Sequence, residues 1–87
     1  MPYQIEFRPE ALEDLKGLDK AIARRILKKM RWLAENFEDL VPEALKGDLK
    51  GFFKLRMGDY RVIYSLKLNE RKIIIHLIGH RREIYKS

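Results

Sequence analysis

The chain has no cysteine, three prolines and five glycines in 87 residues. Each shortage excludes something. Without cysteine there is neither a disulfide framework nor a thiolate metal site, and a reducing compartment suits the protein. The longest apolar run, "IIIHLI" from Ile73 to Ile78, falls far short of the roughly 20 residues that span a bilayer. The N-terminal "MPYQIEF" lacks the basic start and apolar stretch of a secretory signal. Repeats, low-complexity segments and linkers are missing as well. The reading is a soluble cytoplasmic protein with no membrane partner, folded as a single domain over residues 1–87. With 46% hydrophobic and 37% charged residues, that domain is globular rather than disordered.

Acidic residues are scarce in the second half only. Residues 1–45 carry 8 Lys and Arg against 9 Asp and Glu, whereas residues 46–87 carry 11 against 4, so the net +6 lies wholly in the latter. Lysines and arginines that neutralise phosphates release condensed counterions, so this asymmetry points to a polyanion. A basic surface kept for solubility accounts for the charge alone equally well.

Tyr3, Ile5 and Phe7 alternate with Gln4 and Glu6 as in a first strand. Pro9 with Glu10, Glu13 and Asp14 marks a helix start, Ala11, Leu12, Leu15 and Leu18 form its stripe, and Gly17 ends it. Asp19 caps a second helix in which Ile22, Ile26, Met30, Leu33 and Phe37 share one arc. Trp32 lies outside that arc, suited to packing between the helices or to meeting a partner. Past Pro42 and Gly47, strands are expected over residues 52–57, 60–67 and 72–79, the last apolar on both faces and therefore interior. The order is β-α-α-β-β-β: an α+β fold with an antiparallel sheet and the N-terminal helix pair on one face.

The stretch "FFKLRMGDYRVIY", residues 52–64, is a hairpin turning at Gly58-Asp59, a type II′ signature. Its register sets Arg56 opposite Arg61 and Leu55 opposite Val62. One face then holds Phe53, Leu55, Met57, Tyr60, Val62 and Tyr64, and the other Phe52, Lys54, Arg56, Arg61, Ile63 and Ser65. Like charges directly across a strand pair cost up to roughly 1 kcal/mol. A solvated face is one account of them, and an external anion is the other.

The run "LKG" at residues 45–47, the hairpin, and "GHRREIY" at residues 79–85 resemble the RelE/ParE superfamily of toxins, and within it the RelE-like messenger-RNA interferases. The resemblance covers the chain. It implies a toxin of a type II toxin-antitoxin system: a metal-independent, cofactor-free endoribonuclease that acts on messenger RNA in the ribosomal A site. The ribose 2′-OH attacks the adjacent phosphate, and translation stops. It also implies a cognate antitoxin, contact with ribosomal RNA, and operator DNA reached only through the antitoxin complex. By the same resemblance Arg61 binds the scissile phosphate, Lys54 does base or electrostatic work, and Arg81 stabilises charge or acts as an acid. Tyr85 orients or stacks on the substrate, and Arg56 is a basic neighbour. The alternative is a ParE-like inhibitor of DNA gyrase that cleaves nothing.

One position departs from the family pattern. Where well-known members carry a lysine two residues before the one matched by Lys54, this chain has Phe52, which can stack on a base but cannot accept a proton. A histidine titrates near neutrality, so His80 is the expected replacement, with Lys50 behind it as an extension of the basic row. Pairing through Asn69-Glu70 sets Ile78 opposite Arg61, and strict alternation then carries His80 onto the cation face, unless Gly79 bulges. His76, among isoleucines, reads as a core histidine. A metal on His76 and His80 is disfavoured by their spacing along a strand.

Overall fold

The alternation at the N-terminus forms an edge strand, β1 (Gln4–Phe7), in the computed structural model, which describes residues 2–84, the last two by backbone only. Helix α1 (Pro9–Lys16) opens on its proline and closes at Gly17. Asp19 Oδ2 accepts the Ala21 amide at 3.2 Å, capping α2 (Lys20–Asn36). The expected arc of α2 is the buried one: Ile26, Met30 and Leu33 enter the core, joined by Ala34 and by Phe37 in the short 3-10 turn Phe37–Asp39. Leu12 of α1, counted with the apolar stripe, is instead exposed. No helix among the described residues is long and apolar enough to cross a membrane.

Four more strands follow: β2 (Glu43–Ala44), β3 (Phe53–Met57), β4 (Tyr60–Lys67) and β5 (Lys72–His80), after which α3 (Arg81–Ile84) begins. The sheet order is β1-β5-β4-β3-β2. The fold is α+β, with the helix pair on one side of the sheet, but the sheet is mixed rather than wholly antiparallel. Strand β1 runs parallel to β5, with Ile5 opposite Ile73 and Phe7 opposite Ile75, while the other pairs are antiparallel. The reason is topological: after the helices the chain re-enters at the far edge and zigzags back until β5 meets β1. Flanked on both sides, β5 buries Ile73, Ile74, Ile75 and Ile78.

The β3–β4 hairpin has the expected register, Arg56 opposite Arg61 and Met57 opposite Tyr60. Gly58 has φ 59° and Asp59 stays at negative φ, as a II′ turn requires. Between β4 and β5 the register from Lys67–Lys72 to Tyr64–Ile75 is also the expected one. It then slips: Ile63 pairs with Leu77, leaving His76 as an extra residue, so that Arg61 faces Gly79 and Val62 faces Ile78.

Two polar devices close the periphery. Arg71, in left-handed conformation at φ 54° after the turn Leu68–Glu70, pairs with Glu38 and lays its guanidinium 4.8 Å from the Tyr3 ring centre. The hydrogen bond from Arg71, then its charge, holds the Glu38 carboxyl below its ordinary range. At the other end β1 stops after Phe7, and α1 takes its place along β5. There Arg8 N–H donates to Ile75 O at 2.9 Å, and Asp14 Oδ2 accepts the Ile78 N–H at 3.0 Å. A carboxylate thus stands where a strand carbonyl would be.

Removing that acceptor leaves a part-buried amide unpaired, which costs about 1–3 kcal/mol. Asp14→Ala is therefore expected to lower the unfolding free energy by about that amount, and Asp14→Asn by less, measured by denaturant titration. An Asp14→Ala change within about 0.5 kcal/mol, the range of ordinary surface substitutions, would show that the contact contributes nothing.

Candidate nucleic-acid interface

Because directly paired residues share a sheet face, the register fixes what stands together. Val62, Tyr64, Ile73, Ile75 and Ile78 lie in the core against the helices. The stacked Phe53 and Tyr64 rings, 5.6 Å apart, belong to that side, and burial, then the charge of Glu43, pushes the Tyr64 hydroxyl up to about 12. The opposite face reads as three cross-strand rows. Arg56, Arg61 and Gly79 form the row nearest the hairpin turn, and Lys54, Ile63 and Leu77 the next. The third pairs Ser65 with Ile74, and the unpaired His76 reaches Ser65 and Phe52 there.

The cations differ in how they are held. Arg61 is only 5% exposed, and its Nη1 donates to Gly58 O and Tyr60 O, each at 2.9 Å. The arginine thus braces its own turn, while its Nε is buried without a partner among the described residues. Lys54 Nζ lies 3.6 Å from Glu43 Oε1, the residue paired with it across β2. Arg56 is exposed and forms no ion pair with a described residue. Arg81 starts α3 at the same end of the sheet: its N–H donates to Asp59 O at 2.8 Å and its Nε lies 3.8 Å from Asp59 Oδ1. That exposed pair is worth little and is easily exchanged for another anion.

Three expectations come out differently. The register slip turns His80 to the helix side, opposite Tyr60, where the two rings meet edge to face at 5.6 Å. There it borders a cleft of about 380 Å³ with Asp14, Asp19 and Leu18, away from the cations. The bulge falls at His76, not at Gly79. Lys50 sits exposed in the turn before β3, which starts only at Phe53, so it does not extend the row along the strand. Tyr85 lies outside the described residues.

His76, expected as a core histidine, lies elsewhere. It is half-buried on the cation side: its Nε2 lies 2.7 Å from Ser65 Oγ, and the Phe52 ring meets it edge-on at 4.9 Å. Desolvation, then the charge of Arg8, lowers its pKa below the ordinary 6.5, with Glu10 acting weakly the other way. The signal available was one polar residue interrupting an otherwise apolar strand. Trp32 is 41% exposed on α2, with Lys29 Nζ 4.2 Å from its ring centre, and lines clefts shared with Leu55 and Met57 of β3. Among the described residues no group of three or more His, Cys, Asp or Glu could hold a metal ion.

Comparison with known proteins places this architecture. The profile of the family described as the ParE toxin of type II toxin-antitoxin systems matches residues 5–85. A RelE-like toxin protein of Escherichia coli is 33% identical over 85 residues, covering 95% of this chain and 86% of its own. Toxin RelG of Mycobacterium tuberculosis is 29% identical over 92 residues, with 99% of each chain covered. Among solved structures, the M. tuberculosis RelBE2 toxin-antitoxin complex superposes with a TM-score of 0.84 at 27% identity, covering 93% of each chain. The isolated E. coli RelE toxin, at 16% identity and a TM-score of 0.74 over 90% of this chain and 83% of its own, shares the fold. The mixed sheet, its helix pair and the matched profile together make this chain a toxin of the RelE/ParE superfamily, from a type II toxin-antitoxin system.

Proposed function

We propose that the protein is a ribosome-dependent messenger-RNA endoribonuclease of the RelE kind, acting in the cytoplasm on RNA in the ribosomal A site. The observation that carries this reading is the gathering of Lys54, Arg56 and Arg61 beside Phe52 on one sheet face, with Arg81 at its hairpin end. RNA cleavage by 2′-OH attack needs little more than positioning, a proton acceptor and fixed positive charge for the phosphorane. Arg61, immobilised by two carbonyls, supplies charge that need not reorganise during the reaction. Lys54 sits two residues along β3 from Arg56 and shares the electrostatic load. Arg81 can exchange Asp59 for a phosphate oxygen, and Phe52 offers a ring edge or face to a base. Tyr85 keeps the orienting role implied by family resemblance.

Purified toxin with programmed ribosomes is expected to produce discrete cuts in messenger RNA and to leave free RNA nearly intact. Arg61→Ala should slow single-turnover cleavage by roughly 10²-fold or more, the scale of losing one preorganised donor. Since Arg61 also braces its turn, thermal unfolding of the variant separates a folding defect from a chemical one. Rates within a few fold of wild type in a folded variant reject the assignment. The matched family profile is described as a ParE toxin, which favours one rival: a gyrase inhibitor without nuclease activity. Intact RNA together with inhibited supercoiling by gyrase would establish it.

The partner we propose is a cognate antitoxin, since the M. tuberculosis and Pyrococcus horikoshii relatives were solved as toxin-antitoxin complexes. It would cover the cation face or displace the C-terminal "HRREIYKS", and operator DNA would be bound only through that complex. Co-expression with the neighbouring gene product should give a stable complex that does not cut RNA. A complex that cuts at the free rate removes the neutralisation claim while leaving the catalytic one standing.

A further inference from the structure

The cation face holds four positive side chains, of which three are arginines, and arginine is effectively always protonated. A reaction begun by deprotonating a 2′-hydroxyl still needs an acceptor. Position 52, a lysine in well-known members, is phenylalanine here. His80 looks to the helix side.

The bulge of β5 supplies the missing group. With His76 as the unpaired residue, its ring meets Ser65 on the sheet face that carries Lys54 and Arg61, next to the Lys54–Ile63–Leu77 row, rather than in the core. Ser65 from β4 and Phe52 before β3 hold the ring from two sides, at 2.7 Å to Nε2 and 4.9 Å between ring centres. The Ser65 hydroxyl can accept from or donate to Nε2; in the tautomer whose Nε2–H donates to Ser65 Oγ, Nδ1 keeps its lone pair and is the nitrogen open to a proton. We propose that His76, positioned by Ser65 and Phe52, is the proton acceptor for the 2′-hydroxyl in RNA cleavage. This rests on the nuclease reading above. In the step, the 2′-O–H proton passes to the imidazole as the O2′–P bond forms and the P–O5′ bond breaks. The leaving 5′-oxygen takes a proton from solvent, and the imidazolium later returns one.

The charged groups facing His76 from the β1–α1 junction are Arg8, which disfavours the imidazolium, and Glu10, which favours it. Desolvation acts with Arg8, so the ring is neutral at physiological pH and ready to accept. Cleavage should then rise with pH along an acid limb centred below 6.5, the ordinary histidine value.

The test is single-turnover cleavage by full-length toxin on programmed ribosomes across pH 5 to 8.5, compared with the NMR titration of His76 in the free protein. The midpoint of that titration should coincide with the acid limb of kcat/KM. His76→Gln should lose about 100-fold or more, at the low end of the usual contribution of a general base, with ribosome binding unchanged and the limb abolished. Ser65→Ala, a milder change that preserves the imidazole, should displace both the titration and the limb together. Failure of wild-type toxin to cut any messenger RNA overturns the nuclease reading and this proposal with it. Wild-type cleavage with His76→Gln within threefold overturns the proposal alone. So does a limb that is lost in His80→Ala, or one that fails to follow the titration of His76 in wild type and Ser65→Ala.

Discussion

Side chains on a regular strand alternate faces, so one surplus residue at a bulge exchanges the face of everything beyond it. The rest of the cation surface depends on that constraint in β5. Because His76 is surplus, Ile78 returns to the core opposite Val62, and Gly79 comes to lie across from Arg61. Without the slip, Leu77 would point into the core and Ile78 would stand over Arg61.

The same slip has a cost at the other edge of β5, and α1 meets it. Past Ile75 the strand no longer has β1 beside it, and a bulged edge offers its amides to anything with a free carbonyl. Asp14 occupies the Ile78 amide from a helix that begins only one residue after β1 ends. The parallel edge strand, the helix that replaces it and the bulge are therefore one arrangement. Acidic residues elsewhere act similarly on the basic face. Glu43 pairs with Lys54 and Asp59 with Arg81 through exposed or partly exposed contacts that another anion can replace.

Much of this is legible in the sequence. The capping of α2 by Asp19, the burial of Ile26, Met30 and Leu33, and the pairing of Arg56 with Arg61 each follow from periodicity or turn chemistry in a local window. What escapes is set by contacts between distant segments. Neither Gln4 nor Lys72 carries a mark saying that their strands run side by side. The position of the bulge is decided by which of several apolar residues the core accepts, and both Ile78 and His80 satisfied the pattern equally well. Consequently the cation set is readable in the sequence, while which of the two histidines faces it is not.

The partnership of β1 with β5 joins the first strand of the chain to the last. During synthesis β1 emerges early and then waits, its amides and carbonyls unpaired, until Ile73 and Ile75 have left the ribosome. Contacts so distant in sequence form late because the intervening chain must first be ordered. Chains are made at about 5–20 residues per second, so the sheet is incomplete for most of translation. The hairpin that carries Arg56 and Arg61 can form locally, but the sheet that backs it closes only once β5 has paired with both β4 and β1.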